Sequence, residues 1–389
     1  MIKVPINERP NWRAQAQEIG FRFHTMHGQP YWDERAYYQF SLKQIEQGIE
    51  APTAELHQML LHIVDKVCND DALMQRFAIP EPFWHIIRRS WLRRDPHLYG
   101  RFDLCYDGRH NAKLLEANYD TPTSLFESAY WQWIWLEQQV DAGLLPRQTD
   151  QFNSIQEQLI ARFRHLHKLN RSKSLHFSCC KDTAEDKGTI DYLKSCAIEA
   201  GIRSKFVYIE DIGIDNHRQF TDLDDTSISW CFKLYPWEFM FEDEYAHALI
   251  DTTTTWLEPS WKALLSNKAI LPLLWQHFPN HPNLLPAYFS DQKHQLPNHQ
   301  GIVKKPIFSR EGANIEIRKN NKIVAQSLGG YGEEGYVYQA YSPLPKFEDE
   351  YLVVGSWVVG DEPAGIGLRA DKSLITQDLS RFIPHIILG

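Results

Sequence analysis

The stretch that most constrains this chain is RFDLCYDGRHNAKLLEANYD, residues 101–120. It reads as two short strands around a tight turn, because Asp107-Gly108 and the nearby Asn111 tolerate the positive φ such turns need. Centred there, the turn sets Asp103 opposite Glu116 and Arg101 opposite Asn118. Residues two apart on a strand share a face. Arg101, Asp103, Glu116 and Asn118 therefore fall on one face, with Phe102, Leu104, Leu115 and Ala117 on the other. Two carboxylates and an amide are hard oxygen donors. They suit Mg²⁺, whose remaining positions go to water and phosphate oxygens. A solvated hairpin with an Arg–carboxylate pair gives the same pattern, and the hairpin alone leaves both open.

The next residues run into a helical pattern over 125–139. Ser124 and Glu127 have capping-box spacing, and Thr121-Pro122 is an alternative start. A helix N-terminus beside the hairpin would offer N–H groups to an anion.

At 389 residues the chain suits one large multi-lobed enzyme or two to three domains. A net charge of -9 argues against a general nucleic-acid binder. None of the six cysteines forms a C-x-x-C pair, and their scarcity suits a reducing compartment. Cys179-Cys180 in an apolar run read as buried thiols. The start, MIKVPINERPNW, lacks the apolar run of a signal peptide, and no apolar run is long enough to cross a bilayer. The expectation is a cytoplasmic protein with no membrane or nucleic-acid partner, its oligomeric state open.

Residues 1–100 read as mainly helical, with candidates at 37–48, 54–69 and 84–94; the second carries Leu56, Met59, Leu60, Ile63 and Val67 at helical spacing. Arg88, Arg89, Arg93 and Arg94 read as a solvated helix end. Residues 151–168 form another amphipathic helix. Strands at 174–180 and 205–210 around a helix at 183–200 make a βαβ-like unit with parallel pairing, and 227–234 adds a strand. No G-x-G-x-x-G follows the first of these strands, so a dinucleotide site is unsupported. Residues 244–278 read as helical or loop-rich. Strands follow at 302–308, 315–318, 322–327, 336–341, 351–359 and 364–368.

Lys304 and Lys305 precede a glycine-containing turn, Ser309-Arg310-Glu311-Gly312-Ala313-Asn314. A strand lysine beside such a loop suggests a phosphate clamp, although an ordinary exposed hairpin has the same sequence features. No Walker A motif is present. Gln339 in an apolar strand suggests either a core hydrogen bond or a contact to a nucleotide base.

Together YGRFDLCYD, LLEANYDTPTSL, NKAILPLLW, VKKPIFSREGANI, YVYQAYSPL and GIGLRADKSLIT resemble the synthetase domain of glutathionylspermidine synthase and its shorter stand-alone relatives. The resemblance implies an α/β (α+β) ATP-grasp fold over 1–389 as one synthetase unit. That unit would comprise a helical region with the metal-binding hairpin (1–170), a small α/β lobe (171–243) and a nucleotide-clamping region (244–389). It implies ATP and Mg²⁺, with Arg101 as transition-state arginine and Asp103, Glu116 and Asn118 as Mg²⁺ ligands. Arg101, Phe102 and Asp103 would lie at the phosphates, and Lys268 and Lys305 would bind the nucleotide. Gly312 would sit in a closing loop and Gln339 near the adenine. Leu374, Ile375, Thr376 and Gln377 would complete the pocket. Arg369 matches the pattern without an assigned role.

The implied reaction is ADP-forming amide synthesis from a small carboxylate and an amine, with a peptide or polyamine among the candidate substrates, through an acyl phosphate. A nucleotide-binding regulatory protein with slow ATPase activity, or a kinase-like phosphotransferase on the same fold, are the alternatives.

Overall fold

The computed structural model describes residues 1–171, 173–181, 183–296, 301–377 and 380–388. Tyr99–Cys105 pairs antiparallel with Lys113–Asn118, Arg101 opposite Asn118 and Asp103 opposite Glu116. The register then shifts, so that Leu104 faces Leu114. A bulge inserts one extra residue and turns the following side chains over. Leu114, not Leu115, therefore joins Phe102, Leu104 and Ala117 in the core, and Leu115 lines a cavity. Gly108, at φ +79°, makes the turn; a Cβ there would come within 2.7 Å of Met1.

The hairpin is one edge of a six-stranded antiparallel sheet. Beyond it lie Glu350–Val359, Glu362–Asp371 and Arg381–Ile383, with Lys346–Phe347 attached to Glu350–Val359. This sheet is buried on both faces. Leu352, Val354 and Val358 enter one core with the helices, while Trp357 and Val359 enter a second, tryptophan-rich core.

A second antiparallel sheet orders Ala287–Phe289, Tyr336–Ala340, Ile302–Pro306, Glu316–Lys319 and Lys322–Gln326. Four of these strands match the sequence reading; Ala287–Phe289 had no separate signal. A third sheet is wholly parallel: Thr255–Leu257, Trp230–Leu234, Leu175–Cys179 and Ser204–Phe206. The helix Ala184–Glu199 supplies the crossover between Leu175–Cys179 and Ser204–Phe206 expected of a βαβ unit, and Ile155–Leu169 precedes the first of these strands. Ala51–Cys68 buries Leu56, Leu60, Ile63 and Val67, as its spacing requires.

Residues 37–48 are not one helix. Ala36–Phe40 is a strand, and the helix begins at Leu42 behind a capping box between Ser41 and Gln44. The aromatic run Tyr37-Tyr38 favours the strand, and the box fixes the helix start. Ser124 and Glu127 form no such box. Ser124 sits at φ +67° and Glu127 is buried in a π-turn, Glu127–Trp131. The six cysteines are unbridged; Cys179 is buried, but Cys180 is half-buried and lines the cavity. Among the described residues no helix is long and apolar enough to cross a membrane.

Candidate functional site: a charged cleft between two sheets

Arg101 and Asp103 point from the hairpin into a cavity of about 670 Å³. Both are buried, 6% and 3% exposed. The Arg101 guanidinium donates from Nε to Asp103 Oδ1 at 2.8 Å and from NH2 to Oδ2 at 3.3 Å. Its NH1 donates to Thr123 O at 2.8 Å and Ser124 Oγ at 3.2 Å. The left-handed backbone of Ser124 is thus tied to the arginine, a strained conformation of the kind that clusters at functional sites. Room for the arginine comes from the next strand, where a Cβ on Gly355 would meet Arg101 Cδ at 3.0 Å.

Glu116 and Asn118 complete the face. Asn118 Nδ2 donates to Asp103 Oδ2 at 3.3 Å and to Glu116 Oε1 at 3.4 Å. Turning that amide over presents its oxygen beside the two carboxylates, giving three hard donors in one cluster. Burial alone would push the Glu116 carboxyl up. Lys268 and Lys305 beside it instead hold it well below the usual carboxylate range. It is therefore an anion at every physiological pH.

The cations come from three directions. Arg369, two strands away in the same sheet, donates to Asp103 Oδ2. Lys268 Nζ lies 3.4 Å from Glu116 Oε2 and donates to Ser309 O at 2.7 Å. Lys305, on the second sheet, donates to Leu115 O at 2.7 Å and Gln339 Oε1 at 2.9 Å. Burial, and then Lys268, push the Lys305 ammonium down to about 8 against the opposing pull of Glu116 and Asp103. Four cations thus face two carboxylates, a surplus of positive charge in a mostly buried setting.

Gln339 is 2% exposed and donates to Leu114 O at 3.0 Å, so it bridges both sheets and also lines the cavity. Leu374, Ile375, Thr376 and Gln377 line the same cavity beside Gly312. Gly312 has φ +69°, and a Cβ there would meet Thr376 O at 2.5 Å. The two segments touch because that residue is glycine. Phe102 is the exception among the expected residues: its side chain is fully buried against Tyr119, so only its backbone separates Arg101 from Asp103. Lys268 stands just behind the cavity wall, reaching it through Glu116.

Other groups had no assigned place in the sequence reading. Arg310 donates to Thr121 Oγ1 across the cleft. Glu185, Asp186 and Glu238 line the cavity, and Tyr31 donates to Glu185 Oε1 at 2.8 Å. Burial, with Glu185 opposite, pushes Glu127 up to about 8. Arg310 and Thr121 lay within recognisable motifs; Tyr31 and Glu185 are 154 residues apart and carry no local signal.

Two buried ion pairs hold the hairpin. Asp120 accepts from Lys233 Nζ and Trp237 N, both at 2.7 Å, which fixes the parallel sheet to the hairpin's end. Lys262 pairs with Glu258 at 3.0 Å, while Glu258 accepts from Leu98 N and Lys262 donates to Tyr99 O. Removing one partner of such a pair costs about 3–5 kcal/mol.

A sequence profile described as glutathionylspermidine synthase preATP-grasp matches residues 3–388. The chain belongs to that family. It is 42% identical to a Haemophilus influenzae protein named "Putative acid--amine ligase", covering 97% of both chains. It is 28% identical to the Escherichia coli bifunctional glutathionylspermidine synthetase/amidase, covering 97% of this chain and 63% of that one. It is also 28% identical to trypanothione synthetase of Crithidia fasciculata, covering 87% of this chain and 54% of the relative. The family is thus one of glutathionylspermidine synthetases and acid–amine ligases, with which a carboxylate–amine ligase is consistent. A glutathione synthetase-like effector from Globodera pallida, in its apo form, shares the fold with a TM-score of 0.58 at 11% identity, each chain covered completely.

Proposed function

We propose that the cleft binds ATP with Mg²⁺ in an ATP-grasp arrangement and joins a small carboxylate to an amine through an acyl phosphate. The observation that carries this reading is the set of four cations and two carboxylates, Arg101, Arg369, Lys268, Lys305, Asp103 and Glu116, gathered between two antiparallel sheets. A polyphosphate needs surplus positive charge, and a divalent ion needs carboxylates beside it. Asp103, Glu116 and the Asn118 amide have the donor chemistry for Mg²⁺. Bound there, the ion would neutralise phosphate charge.

The apolar part of the lining, including Val303, Ile317, Ala340 and Ile375, suits a base, with Gln339 placed for its polar edge. Arg101 presents a planar fork fixed by Asp103, suited to the charge that builds on a transferring phosphoryl group. The substrate carboxylate attacks the γ-phosphorus, ADP leaves, and the amine then displaces phosphate from the acyl carbon. No side-chain nucleophile is required. Arg310 and Thr121 offer donors to an acid, while Glu185, Asp186 and Glu238 offer an acidic wall to an amine. In this reading the helical region, the α/β lobe and the clamping region act as one synthetase unit.

The test is product formation. The protein is incubated with ATP, Mg²⁺ and pools of acids and amines, beginning with glutathione and spermidine because relatives are named for their conjugate. ADP release that requires both substrates, with a product at their summed mass less water, supports ligation. ATP hydrolysis indifferent to both would leave an ATPase, and a phosphorylated single substrate would make it a kinase.

A further inference from the structure

Behind the hairpin, outside the cavity lining, three metal-ligating side chains converge from distant parts of the chain. His57 lies in the helix Ala51–Cys68, His97 precedes the strand Tyr99–Cys105, and Asp361 sits in the turn between Glu350–Val359 and Glu362–Asp371. His57 Nε2 and His97 Nε2 each lie 3.1 Å from Asp361 Oδ1. One ligand atom from each residue falls within 4.8 Å of the others, the single such group among the described residues.

We propose that His57, His97 and Asp361 form a structural site for a divalent ion of the zinc class, distinct from the Mg²⁺ proposed at the hairpin. The spacing fits. A tetrahedral ion with bonds of about 2.0–2.1 Å to nitrogen and oxygen has ligand edges of about 3.3–3.4 Å. Two imidazoles and a carboxylate favour zinc over magnesium, which prefers oxygen donors. His57 also has an outer partner. A ligating histidine usually donates its second ring N–H to a fixed acceptor, and His57 Nδ1 lies 3.0 Å from Tyr119 Oη. The His57 and Tyr119 rings stack, which holds the imidazole plane.

The cations facing the site are engaged elsewhere: Lys262 pairs with Glu258, and Arg162 Nε donates to His97 O at 2.7 Å. Both histidines are buried, while the Asp361 side chain is 54% exposed and opens the remaining position to water. Tyr119 follows Asn118, and its backbone N–H donates to Ser266 Oγ at 2.8 Å on the cavity wall. An ion here would brace the hairpin from behind.

The test uses the full chain stripped by a chelator and Zn²⁺ alone, without nucleotide, so its outcome is independent of the proposed ligase reaction. Calorimetry should find one tight equivalent, with a rise in melting temperature. Co²⁺ in its place should show the strong visible absorption of a four-coordinate site. Asp361→Ala, at an exposed turn, should keep the native circular dichroism yet lose binding by more than about 100-fold. Tyr119→Phe should lose about 10–100-fold, as expected for an outer partner. Absence of a tight equivalent, or equal binding in Asp361→Ala, would overturn the site and leave a clasp of two N–H···O hydrogen bonds.

Discussion

Arg101 on the hairpin and Arg310 on the opposing loop both face the cleft, but they are held very differently. Arg101 donates to both oxygens of Asp103, to Thr123 O and to Ser124 Oγ from a buried strand. Arg310 reaches across to Thr121 Oγ1 from a half-exposed loop. That loop takes left-handed φ at Glu311, Gly312 and Asn314, and it contacts residues 375 and 376 through the glycine. The contrast separates two requirements. Dipoles that stabilise developing charge work best when already fixed, because they then cost no reorganisation during reaction. In the proposed function the loop would be a cover, which must open to admit a nucleotide and so suits a short, half-exposed loop.

If the hairpin is the fixed catalytic floor, its substitutions should damage rate, and loop substitutions should damage binding. Arg101→Ala should cut single-turnover ATP cleavage by about 10²–10³, or roughly 3–4 kcal/mol, with nucleotide affinity changed far less. Arg101→Lys should recover only part, since an ammonium lacks the two-point fork. A mutant that melts early but turns over normally per folded molecule would make Arg101 a mere hairpin brace. Glu116→Gln should follow with a loss of about 10² at fixed Mg²⁺. Its signature is a higher Mg²⁺ requirement, and an unchanged Mg²⁺ titration would move the metal off the hairpin.

The loop should respond more mildly. Gly312→Ala places a Cβ 2.5 Å from Thr376 O at a φ that disfavours side chains. Nucleotide KM should rise about tenfold, the equivalent of ~1.4 kcal/mol of strain, with kcat nearly kept. A kcat loss as large as that of Arg101→Ala would erase the distinction between floor and cover. Hydrogen exchange across residues 309–314 should slow when an ATP analogue and Mg²⁺ bind.

Lys305 supplies the smallest effect. Its ammonium, pushed down to about 8, is largely charged at pH 7 and loses its proton as pH rises through 8. Phosphates favour the charged form. Analogue affinity should therefore be flat below pH 7 and fall by up to about tenfold per pH unit above 8, with a proton taken up on binding. The unfolded chain holds that proton up to the ordinary lysine range. Lys305 thus makes the fold more stable, not less, as pH rises across that window, so the lost affinity is not unfolding. Calorimetry in buffers of different ionisation enthalpy should show the uptake, and should show none for Lys305→Met.

The hairpin face was legible because strand side chains alternate, and Arg101, Asp103, Glu116 and Asn118 keep that alternation. The bulge at Asp103/Leu104 was not, since one added residue leaves no mark in composition while exchanging Leu115 for Leu114. Residues 37–48 misled because an aromatic strand runs directly into a capped helix. Lys268, Lys305, Gly312 and Gln339 were assigned through motifs rather than geometry, and the structure gathers them around one cleft. Tyr31 with Glu185, and His57 with His97 and Asp361, meet only once the chain is folded. Their sequence separations, 154 residues for the first pair and 264 or more to Asp361, carry no periodic signal.

The most direct test is a crystal of the protein with a non-hydrolysable ATP analogue and Mn²⁺ in place of Mg²⁺. An anomalous peak is expected among Asp103, Glu116 and Asn118, with the terminal phosphate against Arg101 and the base between the two sheets near Gln339. Bound analogue with no metal peak at the hairpin, or with its phosphates away from Arg101, Lys268 and Lys305, would contradict the proposed function.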